Sequence, residues 1–138
     1  MLSYLQSLLP ETNGGKLPYW LLFISVVSAF NSVQTYQDIS LTKRVYEKDP
    51  GQVSPLSART FGTWTLITSI VRLYGAYHLN VKEVYDLTQF TFVIAGWHFL
   101  SEWLYFDTCK LGKGLSGPLI VSTSSLIWMY LQKDYYLN

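Results

Sequence analysis

The chain has one cysteine, two histidines and few charges; Asp, Glu, Lys and Arg together make up only 14% of its 138 residues. The lone Cys109 excludes an intramolecular disulfide. His78 and His98 fall short of the histidine clusters that a membrane-bound di-iron oxygenase requires, so no metal or other cofactor is expected. A formal charge of +1, with no basic stripe, gives no reason to expect nucleic acid or another acidic polymer as a partner. Ordinary soluble domains carry about 25% charged residues. Here the deficit is concentrated: no Asp, Glu, Lys or Arg stands between Lys16 and Asp38, from Leu87 to Ser101, or from Gly114 to Gln132. Runs of this kind read as membrane spans rather than soluble helices.

Hydrophobic residues make up 49% of the chain and aromatics 17%. The sequence therefore predicts an all-α membrane protein, a four-transmembrane-helix bundle over residues 17–138 behind an N-terminal arm over 1–16. The helices are expected at about 17–37, 58–79, 85–106 and 116–132. At about 1.5 Å per residue the first is long enough to cross about 30 Å of hydrocarbon. The arm, MLSYLQSLLPETNGGK, is a short amphipathic run followed by a breaker. Without a basic n-region or a small-residue cleavage site it does not read as a signal peptide, and it is expected to rest on the interface or stay unordered. Tyr19, Trp20 and Tyr36 mark the headgroup levels of the first helix, and Trp128, Tyr130, Tyr135 and Tyr136 are read as an aromatic belt closing the last.

Residues 38–57 form the longest hydrophilic stretch, expected as a loop with at most one helical turn, and 80–84 form a tight connection. Four spans place both termini on one side, with Lys16, Lys82 and Lys133. The other side carries Lys43, Arg44, Lys48, Arg59, Lys110 and Lys113, and this six-to-three bias predicts that the first and third loops face the cytosol and the termini lie across the membrane.

Polar residues inside the spans are the candidate sites. On the second helix Thr65, Ser69, Arg72 and Ala76 line one narrow stripe facing protein, leaving Phe61, Trp64, Ile67, Ile70, Val71 and Tyr74 for lipid. Arg72 either holds a polar contact inside the bundle or snorkels to the nearer headgroups. On the first helix Ser25, Ser28, Ser32 and Thr35 form a small-residue stripe that permits close approach of another helix, in this chain or in a second copy. On the third, Thr91, Ala95, His98, Glu102 and Tyr105 share a face. Counted from the 80–84 turn at about 1.5 Å per residue, Arg72 lies about 12 Å deep and Glu102 about 25 Å, too far apart to pair. Glu102 is instead level with Gln34 and near Arg59, and His98 is level with Asn31. The candidate helix–helix or partner contacts are thus Ser28, Asn31, Ser32, Gln34, Arg59, Arg72, His98 and Glu102. Asn31, Gln34, Arg59, His98 and Glu102 are expected to form one polar layer, read as bundle glue ahead of a ligand or catalytic role.

Three other features carry less. Gly112, Gly114 and Gly117 spell G-x-G-x-x-G, but no strand precedes them and no room follows for a βαβ unit, so they read as a flexible, closely packing start to the last helix. Ser122, Ser124 and Ser125 have neither histidine nor acid at a spacing that would activate a nucleophile. Cys109, beside Lys110 and Lys113, reads as an unreactive loop residue rather than an activated thiol.

The strings LPYWLLFIS (17–25), FNSVQTY (30–36), LSARTFGTWT (56–65), RLYGA (72–76), TCKLGKG (108–114) and GPLIVST (117–123) resemble the ergosterol biosynthetic protein 28 family, in order, over about 17–135. The resemblance implies a small endoplasmic-reticulum membrane protein that tethers the sterol C-4 demethylation enzymes: the C-4 methyl oxidase, the decarboxylating C-3 dehydrogenase and the 3-keto reductase. It implies no catalytic residues. A chain that is nearly all span agrees with that expectation, because helix faces are its main resource. Two other functions stay open: a sterol-binding carrier using aromatic grooves between helices, and an isomerase or hydrolase using His98 and Glu102.

Overall fold

The computed structural model describes residues 2–11 and 14–137; Thr12 and Asn13 of the breaker, Met1 and Asn138 lie outside the described residues. The described chain is all-helical: α1 Leu2–Ser7, α2 Leu17–Gln37, α3 Ser40–Val45, a 3-10 turn Pro50–Gln52, α4 Pro55–Tyr77, α5 Lys82–Leu104, α6 Lys113–Leu131 and α7 Lys133–Leu137. Of these, α2 and α6 are long and apolar enough to cross a membrane.

Local chemistry explains where the long helices begin. Helix α4 starts at Pro55 rather than near Ala58, because Ser54 and Ser57 form a reciprocal capping box and Pro55 sits where a missing N–H costs nothing. Such a cap is worth about 0.5–2 kcal/mol. Helix α5 likewise starts at Lys82 rather than near Tyr85, with Glu83 in its first turn facing the positive end of the helix dipole. It stops at Leu104 instead of Phe106, where Tyr105 and Phe106 both donate main-chain N–H to the Ser101 carbonyl and Asp107 takes a left-handed conformation (φ 63°). The expected loop 38–57 contains α3 and the 3-10 turn, because Asp38 accepts from both the N–H and the hydroxyl of Ser40 and starts a new helix at once.

The long helices pack side by side, α4 most extensively on α2 and then on α5, and α5 on α6; the α2–α6 seam is the slightest of the four. Close approach follows from small residues. A Cβ on Gly62 would overlap Thr35 Oγ1 of α2, and one on Gly75 would overlap Thr88 Oγ1 of α5. The Ser25, Ser32 and Thr35 stripe is buried, each hydroxyl bonded back to its own helix.

Two apolar clusters fill the interior. At the end carrying the termini, Leu17, Leu21, Ile24, Leu79, Tyr85, Phe92, Met129 and Tyr136 pack together. The Tyr85 hydroxyl donates to the Met129 carbonyl at 2.6 Å, and the Leu17 N–H donates to the Tyr136 hydroxyl at 3.2 Å. Tyr136 is therefore core rather than belt, and Trp128 stacks on Trp20 at 6.3 Å, whereas Tyr130 and Tyr135 are exposed. At the other end Val45, Ala95, Phe99, Cys109 and Leu115 form the second cluster, joined by Phe61, Trp64 and Trp103. Phe61 and Trp64 thus turn inward instead of facing lipid, because α3 folds across this end of the helices and offers them a surface. Tyr105, assigned to the α5 polar face, is exposed past the end of the helix. The arm forms the short helix α1, apolar and exposed, tied down where Tyr77 donates to the Leu8 carbonyl at 2.7 Å.

Candidate functional site

The polar site of the chain lies where α3 and the 105–112 loop close over the ends of α4 and α5. Its centre is His98, whose Nε2 stands 2.6 Å from the Tyr46 hydroxyl. Burial pushes the Tyr46 phenol up from its ordinary range, with the nearby Cys109 and Glu102 adding to the shift. The hydroxyl therefore keeps its proton, and it donates to Nε2 or accepts from it according to which ring nitrogen of His98 carries the proton. The ring is held edge-on by aromatic neighbours, 5.0 Å from Phe99 and 5.5 Å from Trp64.

Glu102, one turn along α5, works on the loop that follows. Its carbonyl accepts from the Thr108 N–H at 2.9 Å and the Cys109 N–H at 3.3 Å, and its carboxylate oxygen accepts weakly from the Thr108 hydroxyl at 3.4 Å. The Thr108 carbonyl in turn accepts from the Lys48 N–H, and Lys48 pairs with Asp107 on the surface. An exposed ion pair of this kind adds about 0–1 kcal/mol, so the main-chain bonds do most of the fastening. Between these elements lies a cavity of about 190 Å³ lined in part by Thr42, Tyr46, Asp49, His98, Glu102 and Thr108. The Thr42 hydroxyl oxygen beside it is buried and has no hydrogen-bond partner among the described residues.

The expected single polar layer is not assembled. His98 and Glu102 face this cavity, but Gln34 and Arg59 are exposed on the outer faces of α2 and α4, and Asn31, also exposed, lines the separate cavity between the long helices. Among the described residues no ion pair joins Arg59 to Glu102. Level position along antiparallel helices does not fix rotation about their axes, and with α2 and α4 in contact at Gly62 none of these three residues reaches His98 and Glu102. Ser32 is buried at that contact, and Ser28 lines the cavity inside the helices.

Arg72 does not snorkel. It is 6% exposed, its Nε donates to Thr91 Oγ1 at 3.0 Å, and its guanidinium carbon lies 4.1 Å from the centre of the Phe92 ring. Thr91 and Arg72 stand nearly equal distances from the α4–α5 turn, as helix rise requires, and a guanidinium over an aromatic face gains about 2 kcal/mol when desolvated.

Sequence reasoning missed Tyr46, Thr42 and Thr108. A signal was present, since Leu41, Thr42, Val45 and Tyr46 recur at helical spacing inside the charged loop. Phe92 carried no signal beyond its place next to Thr91.

Over this framework the sequence matches the family model described as Erg28 like protein across residues 17–127. The chain belongs to this family. It is 82% identical over 138 residues to ergosterol biosynthetic protein 28 of Candida albicans, covering 100% of both chains. Identity to ergosterol biosynthetic protein 28 of Saccharomyces cerevisiae is 56% over 123 residues, 88% of this chain and 83% of the relative. To the human ergosterol biosynthetic protein 28 homolog it is 35% over 117 residues, 84% of each. No solved structure matches the chain. The matched span, 17–127, takes in α2, α4 and α5 whole, most of α6, Tyr46 and His98.

Proposed function

We propose that the chain is a non-catalytic scaffold of sterol biosynthesis in the endoplasmic-reticulum membrane, tethering the C-4 methyl oxidase, the decarboxylating C-3 dehydrogenase and the 3-keto reductase. Its relatives are named for ergosterol biosynthesis. The observation that carries the reading is the outer surface. Each long helix points large apolar side chains away from the interior: Phe30 of α2 is 70% exposed, Ile67 of α4 60%, Trp97 of α5 72% and Ile120 of α6 64%. Helices α4 and α5 are less apolar on average; some of their polar groups, Ser69, Arg72 and Thr88, are turned inward, and others, such as Arg59 and Thr63 of α4 and Lys82 and Glu83 of α5, are exposed towards the helix starts. Their outer faces remain suited to lipid or to partner helices, which supports four spans over residues 17–138 behind a short arm over 1–16. The basic loops 38–54 and 105–112 sit at one end, joined by Lys48 and Asp107, and the positive-inside rule assigns that end to the cytosol and the termini to the lumen. A cysteine introduced at Gln52 is expected to react with an impermeant reagent in sealed microsomes; protection until the membrane is opened would reverse the orientation.

A tether raises the local concentration of each enzyme for the next, to the millimolar range for short spans. Asn31, Gln34 and Arg59, exposed on α2 and α4, are the polar handles for partner helices. Replacing Asn31 and Gln34 by Leu is expected to lower co-purification of the three enzymes at least fivefold at unchanged protein level. His98→Gln, which keeps a hydrogen bond to Tyr46 but removes imidazole acid–base chemistry, is expected to leave the sterol profile near normal. Strong accumulation of C-4 methylated sterols with the complex intact in His98→Gln would replace the scaffold by an enzyme or a sterol site at His98.

A further inference from the structure

Behind the α2–α6 seam lies a cavity of about 290 Å³. Its walls are mostly apolar, including Ile24, Phe61, Trp64, Phe99 and Val121, with the uncharged polar Ser28, Asn31, Thr65, Thr68 and Ser122 among them, and its lining includes the exposed Phe23 and Val27. It therefore opens sideways onto the apolar outer surface, at the α2–α6 seam, which is slighter than the α2–α4, α4–α5 and α5–α6 contacts. One charged side chain lines it, Arg72.

Thr91 takes one of the five N–H donors of the Arg72 guanidinium, and no hydrogen bond or ion pair among the described residues takes the others. The threonines beside it in the wall, Thr65 and Thr68, donate back to the Phe61 and Trp64 carbonyls of their own helix. A buried cation without a counter-charge is costly, and the Phe92 ring offsets only part of the cost. What would complete the site is an anion attached to an apolar body.

We infer that Arg72 and this cavity form a binding site for an apolar lipid that carries one carboxyl group. The planar fork of the guanidinium matches a carboxylate with two parallel hydrogen bonds. Arg72 lies about 12 Å from the α4–α5 turn by helix rise, a depth that a carboxyl group reaches more readily than a phosphate headgroup because it can shed its charge. The cavity is about twice the size of an engineered one of about 150 Å³ that holds benzene, so it takes part of a ring system or a bent chain while the remainder lies along the seam in lipid. The inference does not depend on the tethering role. A fatty acid and a steroid acid share the required chemistry.

The test uses the full-length protein in lipid nanodiscs with two acid probes, cis-parinaric acid and a radiolabelled 3β-hydroxysteroid carboxylate, each compared with its own methyl ester. At least one acid is expected to bind at least tenfold more tightly than its ester, and which acid does so identifies the body. Arg72→Gln is expected to erase that ratio. Arg72→Lys, which keeps the charge without the fork, is expected to reduce it, and carries the test if Arg72→Gln does not fold. Val121→Phe, which fills the cavity, is expected to weaken the acid at least fivefold. Equal binding of acid and ester, no binding of either acid by folded protein, or an acid preference that survives both Arg72→Lys and Val121→Phe would overturn the site.

Discussion

Gly114→Val is expected to detach α3 from α6 and to expose Cys109. A Cβ at this position, in the first turn of α6, would overlap the main-chain carbonyl oxygen of Arg44 and lie 3.0 Å from the Val45 nitrogen. Backbone cannot rotate aside as a side chain can, so α3 as a whole must move. With it would go Val45 from the second apolar cluster and Tyr46 from His98. We expect a loss of about 3 kcal/mol, the upper end of ordinary overpacking costs. Cys109 is a built-in reporter. It is fully buried in that cluster, and burial pushes its thiol up, so little thiolate exists at neutral pH and the folded protein is expected to resist alkylation. In Gly114→Val the maleimide reaction should run at least tenfold faster. An unchanged rate would mean that α3 does not cover this end of the helices.

Gly62→Val is expected to force apart the most extensive helix pair of the chain. Its added carbons would strike Thr35 Oγ1 and approach the Ser32 carbonyl oxygen, which stands 2.9 Å from the nearest Cβ position. The expected cost is about 2–3 kcal/mol. It should appear as lower protein level in membranes and earlier thermal aggregation in detergent. The partner residue supplies the control, because Thr35→Ala removes the hydroxyl that collides but not the carbonyl behind it. The double variant is therefore expected to recover part of the loss, and a double variant no better than Gly62→Val would place the strain elsewhere.

Much of this fold was legible in the sequence because a long apolar helix advertises itself by missing charge. The charge-free runs after Lys16 and Gly114 lie in α2 and α6, the two helices apolar enough to cross a membrane. The inward placement of Ser69, Arg72 and Ala76 follows from spacing, since 3.6 residues per turn puts them on one stripe and a buried stripe must meet protein. Arg72 and Thr91 meet because the short α4–α5 turn fixes the register of the two helices, which leaves little to be decided elsewhere.

The polar layer was not legible for the complementary reason. Spacing assigns a residue to a face of its own helix but does not say which way that face turns when the next helix is far along the chain. Asn31, Gln34 and Arg59 were set level with His98 and Glu102, but in the fold all three are exposed and apart from that pair. His98 meets Tyr46 across 52 positions, through a loop whose charge hid a helical turn. The sequence by itself determined the helical class, the long apolar runs, the family and the polar residues available within the long helices. Only the tertiary structure decided that Tyr46 engages His98, that Glu102 holds the following loop and that Phe61 and Trp64 turn inward. Those contacts depend on how α3 folds back over the ends of distant helices, and no local periodicity records that path.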